Sequence, residues 1–176
     1  MNEEHSQNYL SLSGEKLDID ITIHNPEWEV YLEDIKQNAT IVVEAALSAA
    51  KYNSNGKRIV LAIVLAEKTF VADLNTRFRD QPHSTNVLSF PQDDFVNDSI
   101  DEAMEYAMLG DIVFDYVTIA KEAQDKNKSL INHFYHLLVH GLLHLIGHDH
   151  VNEIEANLME QLEIDILAQF SIESPY

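Results

Sequence analysis

Near the start of its C-terminal third the chain reads His140-Gly141-Leu142-Leu143-His144-Leu145-Ile146-Gly147-His148-Asp149-His150, and no other stretch constrains it so strongly. On a helix, residues four apart share a face, so His140 and His144 aim their imidazoles at one point. Gly147 suits the left-handed conformation that commonly ends a helix. A stop there lets the chain turn back and brings His150 to the same point. Three neutral imidazoles around one open position make a catalytic zinc site, with one ion per chain. The helix that carries the first two histidines is otherwise apolar, which predicts a central position with the other elements packed around it.

A length of 176 residues suggests a single domain, here 17–176, behind a flexible N-terminal lead-in at 1–16. Hydrophobic residues make up 45% of the chain, enough for a real core. The absence of cysteine excludes a disulfide scaffold and a thiolate metal site, and it fits a reducing compartment. The first residues are polar and acidic, unlike a signal peptide, and no apolar run reaches membrane-spanning length. The expectation is a cytoplasmic protein without a membrane partner.

Leu17, Ile19, Ile21 and Ile23 alternate with polar residues, the period of a half-buried strand. The continuous apolar run at 59–65 predicts a central strand covered on both faces. Shorter strands are expected at 86–90 and 110–114. Apolar spacing predicts helices over 27–52 with an interruption near Asn38, and over 67–79, 116–126, 130–146 and 152–170. In the last of these Ile154, Leu158, Leu162 and Ile166 mark the inward side. Residues 92–107 are acidic and read as a surface excursion. Four strands with helices between and after them give an α+β or mixed α/β layer structure.

The histidine spacing, with Gly147, matches the long zinc motif of metzincin proteases. One residue departs from it. Where a zincin has the glutamate that takes a proton from the attacking water, this chain has Gly141. Peptidase chemistry is therefore disfavoured, and a proton acceptor must come from Asp149, Asp111 or a substrate oxygen. Asp149 is also a candidate to orient an imidazole, and equally to cap the following helix. His136 and His148 read as supporting or surface residues, and His133 as surface. The net charge is −19, an unusual balance for a nucleic-acid binder. Residues 51–79 nevertheless carry six bases against two acids, a net +4. That segment is either a local positive patch or part of a generally solvated surface.

Leu74-Asn75-Thr76-Arg77-Phe78-Arg79 leads into Thr85-Asn86-Val87-Leu88-Ser89-Phe90-Pro91, and Leu109-Gly110-Asp111-Ile112-Val113 precedes the histidine motif. Together these resemble the bacterial YbeY family of ribosomal-RNA-maturation endoribonucleases, from about Ile59 to the C-terminus. The resemblance implies a zincin-like α+β domain with a mixed sheet, zinc held by His140, His144 and His150, and a functional Arg79 in the cleft beside the metal. It implies single-stranded or ribosomal RNA as substrate, a role at the small-subunit rRNA 3′ end and in ribosome quality control, and ribosomal proteins and an assembly GTPase as partners. A guanidinium at Arg79 suits that chemistry, because it grips phosphate bidentately. Two alternatives remain at this stage. One is a metal-dependent hydrolase of another substrate class. The other is a non-catalytic, zinc-containing ribosome assembly factor.

Overall fold

A computed structural model describes residues 9–92, 105–150 and 152–176. Strand β2 (Leu17–Ile23) buries all four of its alternating apolar residues on one face. It pairs in parallel with β3 (Arg58–Ala66), which pairs in parallel with β5 (Tyr106–Asp115). Strands β1 (Tyr9–Ser13) and β4 (Val87–Pro91) close the two edges in antiparallel fashion. The order is β1-β2-β3-β5-β4, a mixed sheet.

The sheet thus has five strands, one more than the residues suggested, and the extra one falls inside the stretch read as a loose lead-in. Only Leu10 and Leu12 of β1 face inward, and both are half-buried. An edge strand with two inward positions is too short to announce itself by alternation. Strand β5 also begins earlier than expected, at Tyr106, and carries a bulge at Leu109, where Val60 pairs with Met108 but Leu61 with Gly110. The acidic segment at 92–107 falls mostly outside the described residues.

A 3₁₀ turn (Pro26–Tyr31) precedes α1 (Leu32–Ala49). The expected break near Asn38 is instead at Tyr31. Asn25 caps the turn by accepting from Glu27 N, and Trp28 is swallowed whole, edge-on to Tyr116 and Phe134. Asn38 supports the helix, its amide donating to Asp34 one turn back. The remaining helices are α2 (Lys68–Arg79), α3 (Tyr116–Asp125), α4 (Leu130–Leu145) and α5 (Glu153–Ala168).

Helix α4 is central, with its apolar residues from Phe134 to Leu145 almost all buried, and it touches α1, α3, α5, β4 and β5. Helix α2 covers Ala66, Leu88 and Val113 on the opposite side of the sheet. Strand β3 is therefore sealed on one face and only partly covered on the other, contrary to the expectation from its continuous apolar run. Among the described residues no helix is long and apolar enough to cross a membrane.

Candidate metal centre

Helix α4 ends as its sequence predicts. Gly147 has φ +91°, and the paired bonds of a Schellman motif close the helix, Gly147 N to His144 O and His148 N to Leu143 O. The reversed chain then performs a second task. His148 O comes back over the last turn and accepts from His144 Nδ1 at 3.0 Å. Two residues later His150 arrives beside the first pair, its ring 5.8 Å from that of His140 and 5.0 Å from that of His144.

The hydrogen bonds assign the tautomers. His140 Nδ1 lies 2.8 Å from the Glu163 carboxylate, and His144 Nδ1 faces a carbonyl; both partners only accept. Each Nδ1 therefore carries a proton, and each Nε2 is turned toward the other ring. Those two Nε2 atoms stand 3.1 Å apart. Burial first, and then the His140 and His150 rings, push the His144 imidazole down to about 4, so it is uncharged at neutral pH. Two ring nitrogens this close are bridged by a proton or by a cation. Nitrogens bound to one tetrahedral ion at ~2.0–2.1 Å stand ~3.3–3.4 Å apart, close to what is found here. One ligand atom from each of His140, His144 and His150 lies within 4.8 Å of the others, so the donor set fits a metal ion.

Glu163 orients this group from behind. It is fully buried on α5 and accepts from His140, from His136 Nε2 at 3.0 Å and from the Tyr176 hydroxyl at 2.7 Å. Burial alone would raise its carboxyl, but the bonds from His136, His140 and Tyr176 hold it at about 2. The buried residues of α5 are Met159, Glu163, Ile166 and Leu167; of the side expected, Ile166 is buried and Leu162 packs on the core, while Ile154 and Leu158 face solvent. An acid at the centre of an apolar i, i+4, i+7, i+8 stripe was a readable signal for Glu163. Tyr176 left no such signal, since it arrives from a non-helical segment.

The histidines open onto a cleft of about 620 Å³, which Arg79, Ser89 and Asp149 also line. Arg79 stands at the end of α2, and its Nη2 makes a long contact, 3.4 Å, with Ser89 O on edge strand β4. Asp149 accepts from His150 N at 2.7 Å, which shapes the turn that delivers His150, while the cap of α5 is Asn152. Asp111 is not brought to the site. Its neighbour Ile112 packs against Gly141 of α4, so the Asp111 side chain points to the other face of the sheet. Two of the six bases in the basic segment are paired, Arg58 with Asp18 and Arg77 with Asp73.

Gly141 has a packing reason beyond the missing base. A Cβ there would meet Ser89 Oγ at 2.9 Å and Ile112 Cγ2 at 3.0 Å, and Ser89 Oγ donates to Gly141 O. Helix and edge strand touch through this glycine, which sets the distance between the histidines and β4. His133, expected at the surface, is buried and bonded to Glu122 at 2.7 Å. It lies on the inward side of α4, and the Glu122 partner on α3 makes its burial tolerable.

An α+β domain with three convergent imidazoles and an arginine in one cleft has the make-up of a metal-dependent hydrolase. The family model for endoribonuclease YbeY matches residues 20–171. The endoribonuclease YbeY of Parvibaculum lavamentivorans is 38% identical over 169 residues, covering 94% of this chain and 87% of that one. That of Jannaschia sp. is 38% identical over 166 residues, covering 91% and 100%. The chain belongs to the endoribonuclease YbeY family. The solution structure of TM1509 from Thermotoga maritima, 19% identical, covers 87% of this chain and 91% of its own at a TM-score of 0.51, a likeness of fold.

Proposed function

We propose that the protein is a zinc-dependent endoribonuclease that cuts single-stranded RNA, acting at the small-subunit rRNA 3′ end and in ribosome quality control. Family membership carries the reaction class, hydrolysis of RNA phosphodiester bonds. The observation that carries the metal is the convergence of one ligand atom each from His140, His144 and His150, all within 4.8 Å of one another, in the cleft that Arg79 also lines. Zinc held by His140, His144 and His150 would supply Lewis acidity and make water nucleophilic near neutral pH.

The chain's own residues do the rest. Glu163 and His148 O keep the Nδ1 protons of His140 and His144, so both lone pairs stay turned to the cleft. Arg79, which among the described residues is tethered by its long contact to Ser89 O, takes the scissile phosphate and offsets the charge that builds on it. The space a zincin's glutamate would need at position 141 is filled by Ser89 and Ile112, which speaks against a peptidase. A zincin-like classification, the ribosomal proteins and assembly GTPase as partners, and the cytoplasm as compartment rest on the sequence resemblance.

The test compares wild type, His144→Ala and Arg79→Ala, each with its zinc content measured, on single-stranded RNA, duplex RNA and a peptide. His144→Ala should lose zinc and at least roughly 100-fold in RNA cleavage. Arg79→Ala should keep zinc and lose roughly 100-fold. Cleavage retained in both variants would sink the nuclease as a contaminant. Peptide cleavage alone would point to another hydrolase, and a zinc-loaded protein that cuts nothing to an assembly factor.

A further inference from the structure

Glu163 has a chemical peculiarity that orienting one imidazole does not explain. It has no exposed surface, and its ion-pair partners among the described residues are two histidines, with no lysine or arginine. A buried carboxylate without a firm cation is heavily penalised. His136 does not serve as that cation. Its Nε2 donates to Glu163, and its Nδ1 is buried without a hydrogen-bond partner, which suits a lone pair and not an N–H. The Tyr176 hydroxyl contributes a third hydrogen bond but no charge. The buried carboxylate thus gathers both histidine rings and the Tyr176 hydroxyl, and it holds His140 by the nitrogen opposite the one that faces His144.

We propose that Glu163 is the positioning residue of the metal centre: its carboxylate holds the His140 proton on Nδ1 and supplies the buried negative charge that a dication at the three imidazoles balances. The proposal rests on the reading of those imidazoles as a metal site. The segment 171–176 completes the device as a strap. Lys128 Nζ holds it by the carbonyls of Ser174 and Pro175, at 3.2 and 3.1 Å. Tyr176 then sets its ring edge-on to His136 and its hydroxyl on Glu163. Behind the histidines the same tyrosine walls a second cavity of about 280 Å³, shared with His140, His150 and Glu160. Metal affinity is thereby tied to the seating of the strap, which lies on the far side of α4 from the cleft's Arg79.

The test uses the full chain and zinc, with affinity measured by competition with a chelator and folding by circular dichroism. Glu163→Gln should raise the zinc Kd roughly 10–100-fold. Tyr176→Phe, which removes one hydrogen bond and leaves the ring, should raise it roughly 2–10-fold. In the zinc-free wild type, long-range ¹H–¹⁵N correlation should find the His140 proton on Nδ1. A Glu163→Gln protein with a Kd within about twofold of wild type overturns the proposal, as does a wild-type His140 protonated on Nε2. The second result needs no variant to fold. A wild type that binds no zinc overturns the metal reading itself, a different result from normal wild-type binding that Glu163→Gln leaves unchanged.

Discussion

Helix α4 carries two carboxylate–histidine units, and they are put to opposite uses. At its N-terminal end Glu122 accepts from His133 at 2.7 Å and, through both oxygens, from the Asn86 amide. At its C-terminal end Glu163 accepts from His140 and His136. The first unit is a clasp. It ties α3 and α4 to the stretch entering edge strand β4, where Asp115 also holds Ser84 and Thr118. The second unit is open on one side, because the His140 ring is partly exposed and its Nε2 faces the His144 ring nitrogen. What separates structure from function here is where the far nitrogen of the imidazole points. The pair itself is common to both.

That contrast can be broken most forcefully at the clasp. Glu122→Ala leaves the buried His133 ring and Asn86 without their acceptor, and should cost about 1–3 kcal/mol in urea unfolding. Its zinc Kd should stay within about twofold of wild type, since nothing in the histidine cluster is touched. A loss of zinc affinity like that expected for Glu163→Gln would erase the distinction between the two units.

The next effect concerns the turn that joins α4 to His150. A side chain at Gly147 meets no steric obstacle, so the penalty for Gly147→Ala is the left-handed backbone alone, about 1–2 kcal/mol. Because the same turn brings His148 O to His144, zinc affinity should fall along with the melting temperature. Stability lost with affinity unchanged would show that the turn is a helix stop only.

The smallest effect is expected far from both units. The Arg58 hydrogen bonds to Asp18 hold that carboxyl at about 2. Its folded pKa is below the unfolded one, ~3.9, so the contribution is complete above that value and is lost as pH falls through about 2. The pair is partly exposed, and salt should weaken it further. Between roughly pH 4 and 2 the urea midpoint of wild type should fall more steeply than that of Asp18→Asn, and less so in high salt. Parallel curves would show the pair to be idle.

The three convergent histidines were legible because a helix and its stop are local. The four-residue period, the glycine at 147 and the apolar background all act within a few residues, and the structure brings His140, His144 and His150 together. The supporting groups were legible only in part. Glu163 stood in the apolar stripe of α5, but a different stripe, with Ile154 and Leu158, had the same period and more hydrophobic residues. His133 looked like any polar residue on a helix until α3 supplied Glu122.

The chain by itself determined the order of most elements and the histidine-bearing helix with its end, since each follows from backbone preference or short-range spacing, while Arg79 was singled out only by the family resemblance. Tertiary structure decided the rest. It placed edge strand β1, turned Asp111 away from the cleft and neutralised Arg58 and Arg77 with acids. It also filled the space at Gly141 with Ser89 and Ile112, and brought Glu163 and Tyr176 behind His140. Those outcomes depend on which faces meet across the sheet and between α4 and α5. Such meetings are governed by which buried faces and polar groups of distant segments pair, and the periodicity of one segment does not name its partner.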